Sequence, residues 1–141
     1  MSEMLGNQYF MARNYPLAQI ELEEALQKNP LGKQIRKKLI ICYTQTSKIK
    51  EALKLFTELI KEDIEFITNT DAVKDDCPCP DLVEQIEQTD THLKNSVDYY
   101  IVLGIIWLYC DVNKSLPYFE KANMLFPGNK QIIDIIDSIK L

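Results

Sequence analysis

The sequence predicts an all-α protein, and three of its features support that prediction. Apolar residues recur at helical spacing, the pattern returns after 34 residues, and proline follows the first and third of the resulting units. Leu5 and Tyr9 lie four residues apart on one helical face, and they are matched 34 residues later by Leu39 and Tyr43. Each unit is therefore predicted to be two helices joined by a short turn.

The first unit shows the pattern most completely. Its second helix carries Ala18, Leu22 and Ala25 at helical spacing, and Pro30 follows it because proline cannot continue a helix without losing a hydrogen bond. Gly6 and the two alanines are small enough to let the paired helices approach closely. The helices predicted in this way lie near residues 3–13, 15–28, 33–46, 49–63, 95–110, 113–126 and 129–140.

The same pattern identifies a third unit and a terminal helix. The third unit matches the pattern at Leu103-Gly104, carries Trp107 where the others have tyrosine, and requires a one-residue deletion in the turn "CDVNK". Ser115 replaces the first alanine of its second helix. Isoleucines then recur on one side of the last segment, which predicts an amphipathic helix that covers the final apolar face.

These units resemble the tetratricopeptide repeat, whose pattern places Leu-Gly, an aromatic residue, Ala, a second aromatic, Ala and Pro at fixed offsets. The first unit matches it with Leu22 in place of the second aromatic, and the resemblance covers about 100 of the 141 residues. It implies a single domain, 1–141, folded as a short right-handed α-solenoid of three helix-turn-helix pairs with a C-terminal capping helix. The implied divisions are repeat one at 1–32, repeat two at 33–66, an acidic insert at 67–94, repeat three at 95–127 and the capping helix at 128–141.

The insert is predicted to begin as a loop over residues 67–78 and to continue as a short helix from Pro80. Proline is favoured in the first turn of a helix, and the acids Asp81 and Glu84 suit a helix N-terminus. The apolar edge of this helix consists of Leu82, Val83 and Ile86.

The resemblance also implies where a partner binds, since the first helices of such repeats line a concave groove. The implied groove residues are Asn7, Phe10, Met11, Lys37, Ile41, Gln45, Ile101, Ile105, Leu108 and Tyr109. Some members of the family bind a peptide's C-terminal carboxylate there, but only Asn7 matches that clamp; the other clamp positions hold Glu3, Ile41, Ile101 and Ile105. The groove is instead apolar toward its C-terminal side, with Ile105 at its centre, and apolar surface of this extent usually meets a partner.

Several occupants of this groove remain open. They are a peptide or helical segment of another protein, a second copy of this chain in a homodimer, and the insert's own apolar edge. A further alternative is that part of the predicted groove belongs to the core, because the array is short. We expect an adaptor or scaffold that binds protein. A small secretion-type chaperone is an alternative, although the insert departs from the arrangement of such chaperones.

Composition disfavours other functional classes. A net charge of −5 disfavours nucleic-acid binding, although basic residues predominate from Lys28 to Lys61 and acids from Glu62 to Asp90. The longest apolar run, Tyr99–Cys110, is too short to span a membrane, and the N-terminus lacks a secretory signal, so we expect no membrane partner and a cytoplasmic location. No nucleophile–base motif or glycine-rich phosphate loop is present, so neither catalysis nor a cofactor is expected.

The four cysteines raise the question of a metal or thiol site. Cys42 and Cys110 fall in apolar helical patterns, which predicts buried thiols, and cytoplasmic cysteines are expected to be reduced. Cys77-Pro78-Cys79 lacks the spacing of zinc ligands, and the single histidine, His92, is expected to be exposed near a helix start. We therefore expect a structural loop whose cysteines can be replaced by serine without loss of stability. A metal or thiol sensor is the less favoured alternative.

Overall fold

The computed structural model describes residues 2–71, 73–89 and 95–141, and every regular element within those ranges is an α-helix. The all-α prediction is therefore confirmed for the described chain. The helices are α1 (Ser2–Met11), α2 (Tyr15–Lys28), α3 (Lys33–Gln45), α4 (Ile49–Asp63), α5 (Glu65–Thr68), α6 (Cys79–Gln88), α7 (Val97–Leu108), α8 (Val112–Leu125) and α9 (Lys130–Lys140). All but α5 and α6 correspond to the helices predicted for the repeats and the cap, with bounds that differ by no more than two residues.

The chain divides into two compact units, Met1–Leu59 and Ile60–Leu141, and the division falls within α4. No helix in the described part of the chain is both long enough and apolar enough to cross a membrane.

In the first unit, the turns of the two predicted repeats have the same backbone geometry. Arg13 and Ser47, which lie 34 residues apart, both have a φ angle of 61°. In each turn, the amide of the next residue donates to the carbonyl five residues before it, at 2.9 Å. The period seen in the side chains is therefore also a period of the backbone.

Small residues set the spacing of the helices in the first unit. A Cβ atom on Gly6 of α1 would lie only 2.8 Å from the side chain of Leu22 on α2. Ala18 and Ala25 are buried on α2, as predicted. The next helix, α3, packs against both α1 and α2.

In the second unit, α7 and α8 pair in the same manner. A Cβ atom on Gly104 would lie 2.8 Å from the ring of Phe119. Ser115, which stands where the repeat pattern has alanine, is fully buried, and its hydroxyl donates to the carbonyl of Gly104 at 2.6 Å. This bond satisfies a polar group that would otherwise be costly to bury, which explains why serine is accepted there.

The turn between α7 and α8 contains the predicted one-residue deletion. Here the amide of Asp111 donates to the carbonyl of Trp107, four residues before it, at 2.7 Å. The Asp111 side chain then accepts from the amide of Asn113 and caps the start of α8. The shortened turn therefore still begins its second helix with a capping side chain.

The last helix, α9, packs against α8, with Ile132, Ile135 and Ile136 buried. Asp134 on α9 accepts hydrogen bonds from Lys61 at 2.7 Å and from Lys130 at 3.2 Å. These two bonds lower the pKa of the Asp134 carboxyl.

The insert contains more helix than the sequence predicted. The short helix α5 extends to Thr68, and α6 begins at Cys79, one residue before the predicted start. Thr89 has extended backbone angles and ends α6. In the loop between α5 and α6, the carboxylate of Asp71 accepts from the amides of Val73 and Lys74 at 2.9 and 3.0 Å.

Candidate functional site

The predicted groove residues of the first unit lie on α1 and α3, which are in contact. Lys38 joins the two helices: its Nζ donates to Oδ1 of Asn7 at 3.0 Å and lies 5.8 Å from the centre of the Phe10 ring. The guanidinium of Arg13 lies at the same distance from that ring. We refer to Asn7, Phe10, Met11 and Lys38 as the α1–α3 surface.

The other predicted residues of this unit differ in exposure. Lys37 and Ile41 are buried, whereas Gln45 is half-buried and its Nε2 donates to the hydroxyl of Thr44 at 3.1 Å. Phe10 is also buried, and Met11 has 57% of its surface exposed. The residues of this set that a partner can reach are therefore Asn7, Met11 and Gln45.

In the second unit, the predicted groove residues belong to the interior. Ile101, Ile105, Leu108 and Tyr109 each expose 5% of their surface or less. They present no surface to a partner in this conformation. The sequence analysis left open that part of the predicted groove belongs to the core. For the groove residues of α7, this alternative is what the structure shows.

The insert helix α6 packs against α7 and runs antiparallel to it. At one end, Cys79 forms a disulfide with Cys110, just beyond α7, with Cα atoms 6.2 Å apart. At the other end, burial and then the charge of Glu87 raise the pKa of Tyr99. Tyr99 and Cys110 lie about three helical turns apart and share one side of α7, whereas Ile105 lies about 120° away around the axis. Therefore α6 follows a different side of α7 from the predicted groove.

A hydrogen bond to α8 holds the end of α6. The hydroxyl of Tyr118 donates to Oε1 of Glu87 at 2.8 Å. Burial, followed by this bond and the charge of Glu87, raises the pKa of Tyr118 to about 12. The rings of Tyr100 and Tyr118 lie 6.2 Å apart, and Nζ of Lys121 lies 5.4 Å from the Tyr100 ring. The insert helix is thus anchored at both of its ends.

A cavity of about 380 Å³ lies where the start of α6 meets the end of α7. Its lining includes Cys77, Cys79, Cys110, Trp107, Tyr109 and Asp111. Among the predicted groove residues, Tyr109 lines this cavity, together with residues of the insert. Nζ of Lys114 lies 4.6 Å from the centre of the Trp107 ring. The cavity therefore brings three sulfur atoms together with the carboxylate of Asp111.

Three expectations about the cysteines are wrong. Cys110 is exposed rather than buried, because it follows the last turn of α7, and it is oxidised with Cys79 rather than reduced. Cys79 begins a helix and does not lie in a loop. Cys42 is a buried thiol, as predicted, and burial raises its pKa to about 12. The insert's apolar edge was one of the occupants considered for the groove, but no sequence pattern paired Cys79 with Cys110, so this disulfide was not predicted.

Sequence reasoning also missed Lys38. A usable signal was present, because Lys38 stands three residues before Ile41 and thus on the same face of α3 as that predicted groove residue.

Metal ligands are not clustered in the described residues: no group of three or more histidine, cysteine or acidic side chains there could hold an ion. His92 lies outside the described residues.

Comparisons of the chain with models of known protein families and with curated proteins found no match. The functional argument therefore rests on the residues and their geometry.

Proposed function

We propose that this chain is a protein-binding module, an adaptor or scaffold, built from tetratricopeptide-like helix pairs that stack as a short right-handed solenoid. Two observations support the repeat architecture: the 34-residue period of the backbone turns in the first unit, and the close approach at Gly6 and Gly104. In this proposal α9 is the capping helix, the location is cytoplasmic, and the partner binds on the α1–α3 surface.

The observation that carries the proposal is the position of Lys38. Its ammonium group is placed by Asn7 and by the ring of Phe10, on a surface formed by two helices. An ammonium group has three donors, and the bond to Asn7 uses one of them. A partner carboxylate that binds Lys38 would therefore form a charge-assisted hydrogen bond without displacing Asn7.

The charge and exposure of this surface define the partner's chemistry. Arg13 and Lys38 place two cations beside Phe10, and Lys38 lies within the basic segment from Lys28 to Lys61. Met11 adds an exposed and adaptable apolar side chain. These features fit an acidic peptide segment with at least one apolar side chain, since opposite charge gives such a contact its specificity. A second copy of this chain is the competing occupant.

Selection from a peptide library displayed on phage tests this proposal. The wild-type chain is expected to enrich acidic peptides that carry an apolar residue. Lys38→Met removes the ammonium group and keeps a stem of similar shape, so it should abolish the enrichment. Lys54→Met, at an exposed position of α4, is the matched control for the loss of one positive charge and should retain it.

Two outcomes would overturn the proposal: no enrichment by the wild-type chain, or equal enrichment by Lys38→Met and Lys54→Met. Sedimentation equilibrium over a range of concentrations distinguishes the second-copy alternative, because self-association through this surface would be lost in Lys38→Met alone.

A further inference from the structure

We propose that Cys79 and Cys110 form a site of reversible thiol–disulfide exchange with small thiols, and that exchange there releases the start of the insert helix from α7. This inference does not depend on the proposed binding of a protein partner. It rests on the cavity, on the unequal exposure of the two cysteines and on the charges around them.

The two cysteines of the disulfide differ in exposure. Cys79 is buried, with 1% of its surface exposed, whereas Cys110 is exposed. Both line the cavity of about 380 Å³, whose volume is within the range of about 300–1,000 Å³ for small-molecule sites. A small thiol that enters from solvent therefore meets Cys110 first.

The surrounding charges favour the same direction of attack. Cys79 is the first residue of the ten-residue helix α6, and a helix N-terminus stabilises a thiolate. Asp111 faces the cavity next to Cys110 and disfavours a thiolate on that residue. Because a more stable thiolate leaves faster, Cys79 is the better leaving group and Cys110 the sulfur that is attacked.

The exchange takes place in two balanced steps. A small thiolate attacks Sγ of Cys110, forming a mixed disulfide while the Cys79–Cys110 bond breaks and its electron pair stays on Cys79. A second small thiolate then attacks the small-molecule sulfur of the mixed disulfide, and Cys110 leaves as a thiolate. Two small thiols thus give two electrons to the protein disulfide and become a small disulfide. The reverse reaction, with a small disulfide as oxidant, restores the bond.

The site should be selective within the chain. Cys42 is buried, and its raised pKa of about 12 keeps it protonated and unreactive at neutral pH. Cys77 lines the same cavity but is itself buried. Cys110 is thus the exposed cysteine among those the structure describes.

Exchange changes the attachment of α6. The disulfide holds the first residue of this helix, and the Tyr118–Glu87 hydrogen bond holds its other end. Reduction removes one of these two anchors, so the first turn of α6 should open more often. Disulfides in reducing compartments are typically transient and regulatory, which fits this chain if it is cytoplasmic.

The test uses the full chain in buffers that contain cysteamine and its disulfide, cystamine, in varied ratio. After an acid quench, peptide mapping by mass spectrometry measures the thiol, mixed-disulfide and Cys79–Cys110 forms. The mixed disulfide is expected on Cys110 in at least about tenfold excess over Cys42 and Cys77. Cys110→Ser should abolish this adduct, and Cys42→Ser should leave the exchange unchanged.

Hydrogen exchange of the wild-type chain provides a readout that does not depend on any variant. The amide of Leu82, which donates to the carbonyl of Pro78 at 2.8 Å at the start of α6, should exchange at least about tenfold faster in the reduced chain than in the oxidised chain, whereas the amides of α2 should not change. The proposal is overturned if the disulfide resists excess cysteamine until the chain is unfolded, or if the adduct forms mainly on Cys77 or Cys79. It is also overturned if hydrogen exchange in α6 is the same in the reduced and the oxidised chain.

Discussion

Gly6 and Gly104 stand at the closest approach of their helix pairs, against Leu22 and Phe119. A side chain at either glycine would require the neighbouring side chain to move, because its Cβ atom would lie 2.8 Å from that neighbour. Ala18, which is fully buried on α2, limits the volume of the first pair in the same way. Single side chains thus determine the distance between the paired helices.

Ala18→Leu is expected to lower the free energy of unfolding by about 1–3 kcal/mol, because three carbon atoms are added where the packing leaves no room. Urea denaturation followed by circular dichroism measures the change. Ala12→Leu, at an exposed position, is the matched control and should change stability by less than about 0.5 kcal/mol. Equal stability of the two variants would contradict the packing described for α2.

Gly104→Ala is expected to destabilise the chain by about 1–3 kcal/mol through its contact with the ring of Phe119. The double variant with Phe119→Leu should lose less stability than the sum of the two single changes, because the smaller side chain leaves room for the new methyl group. Such a double-mutant cycle isolates the contact. Additive losses would show that the methyl group clashes with something other than Phe119.

At the scale of elements, the insert is attached at each end of α6 by a different kind of bond. The Cys79–Cys110 disulfide is covalent and closes a loop with a sequence separation of 31 residues. The Tyr118–Glu87 hydrogen bond depends on the protonation of a phenol. The two anchors should therefore respond to different conditions, one to redox potential and the other to pH.

Cys110→Ser is expected to lower the free energy of unfolding by about 2–4 kcal/mol, because the unfolded chain gains freedom when the loop is no longer closed. Cys77→Ser leaves the disulfide intact and should lower the free energy of unfolding by clearly less than Cys110→Ser does. The sequence-based expectation that Cys77 and Cys79 can both be replaced without loss is revised accordingly. Denaturation with and without a reductant checks this, since reductant should remove the difference between wild type and Cys110→Ser.

Tyr118→Phe is expected to lower stability by about 0.5–1.5 kcal/mol near neutral pH, where the hydroxyl donates to Glu87. The pKa of Tyr118 is raised in the folded chain to about 12 from an ordinary value of 10.0. Its contribution is therefore fully present below about pH 10 and is lost as the pH rises through about 12. Unfolding of the two chains between pH 8 and 12 should show a difference that shrinks toward the alkaline end. A difference that stays constant over that range would refute the assignment.

At the scale of the whole molecule, α7 is the most completely buried helix of its unit. Its residues from Ile101 to Ile106 are all buried, both on the side that carries Ile101 and Ile105 and on the side that carries Leu103. A helix that is apolar on all sides is buried on all sides. None of the residues from Ile101 to Ile106 can carry a charge without exposing the interior of the unit to water.

Ile105→Glu is expected to unfold the second unit, because an uncompensated buried carboxylate costs a large part of the roughly 5–15 kcal/mol that stabilises a domain. Circular dichroism and thermal melting measure the loss. Ile133→Glu, at an exposed position of α9, makes the same change without burial and should stay folded. If Ile105→Glu melts like Ile133→Glu, then Ile105 is at the surface and the predicted groove is open in solution.

Local patterns along the chain were enough to predict the all-α class, the bounds of the repeat helices and the shortened turn after α7. Helix formation, capping and turns depend on residues within about five positions along the chain, so their signals are local. The positions of Gly6 and Ser115 within the repeat pattern likewise indicated where helices pack closely.

Which equivalent residues are buried, and which distant residues meet, depends on how the helices pack in three dimensions. Leu5 and Leu39 hold the same place in two repeats, yet Leu39 is fully buried and Leu5 is 38% exposed, because burial depends on the helices that lie alongside. The Lys38–Asn7 contact and the Cys79–Cys110 disulfide each join residues 31 positions apart. No local pattern encodes such contacts, since they form only when the path of the chain brings two helices together.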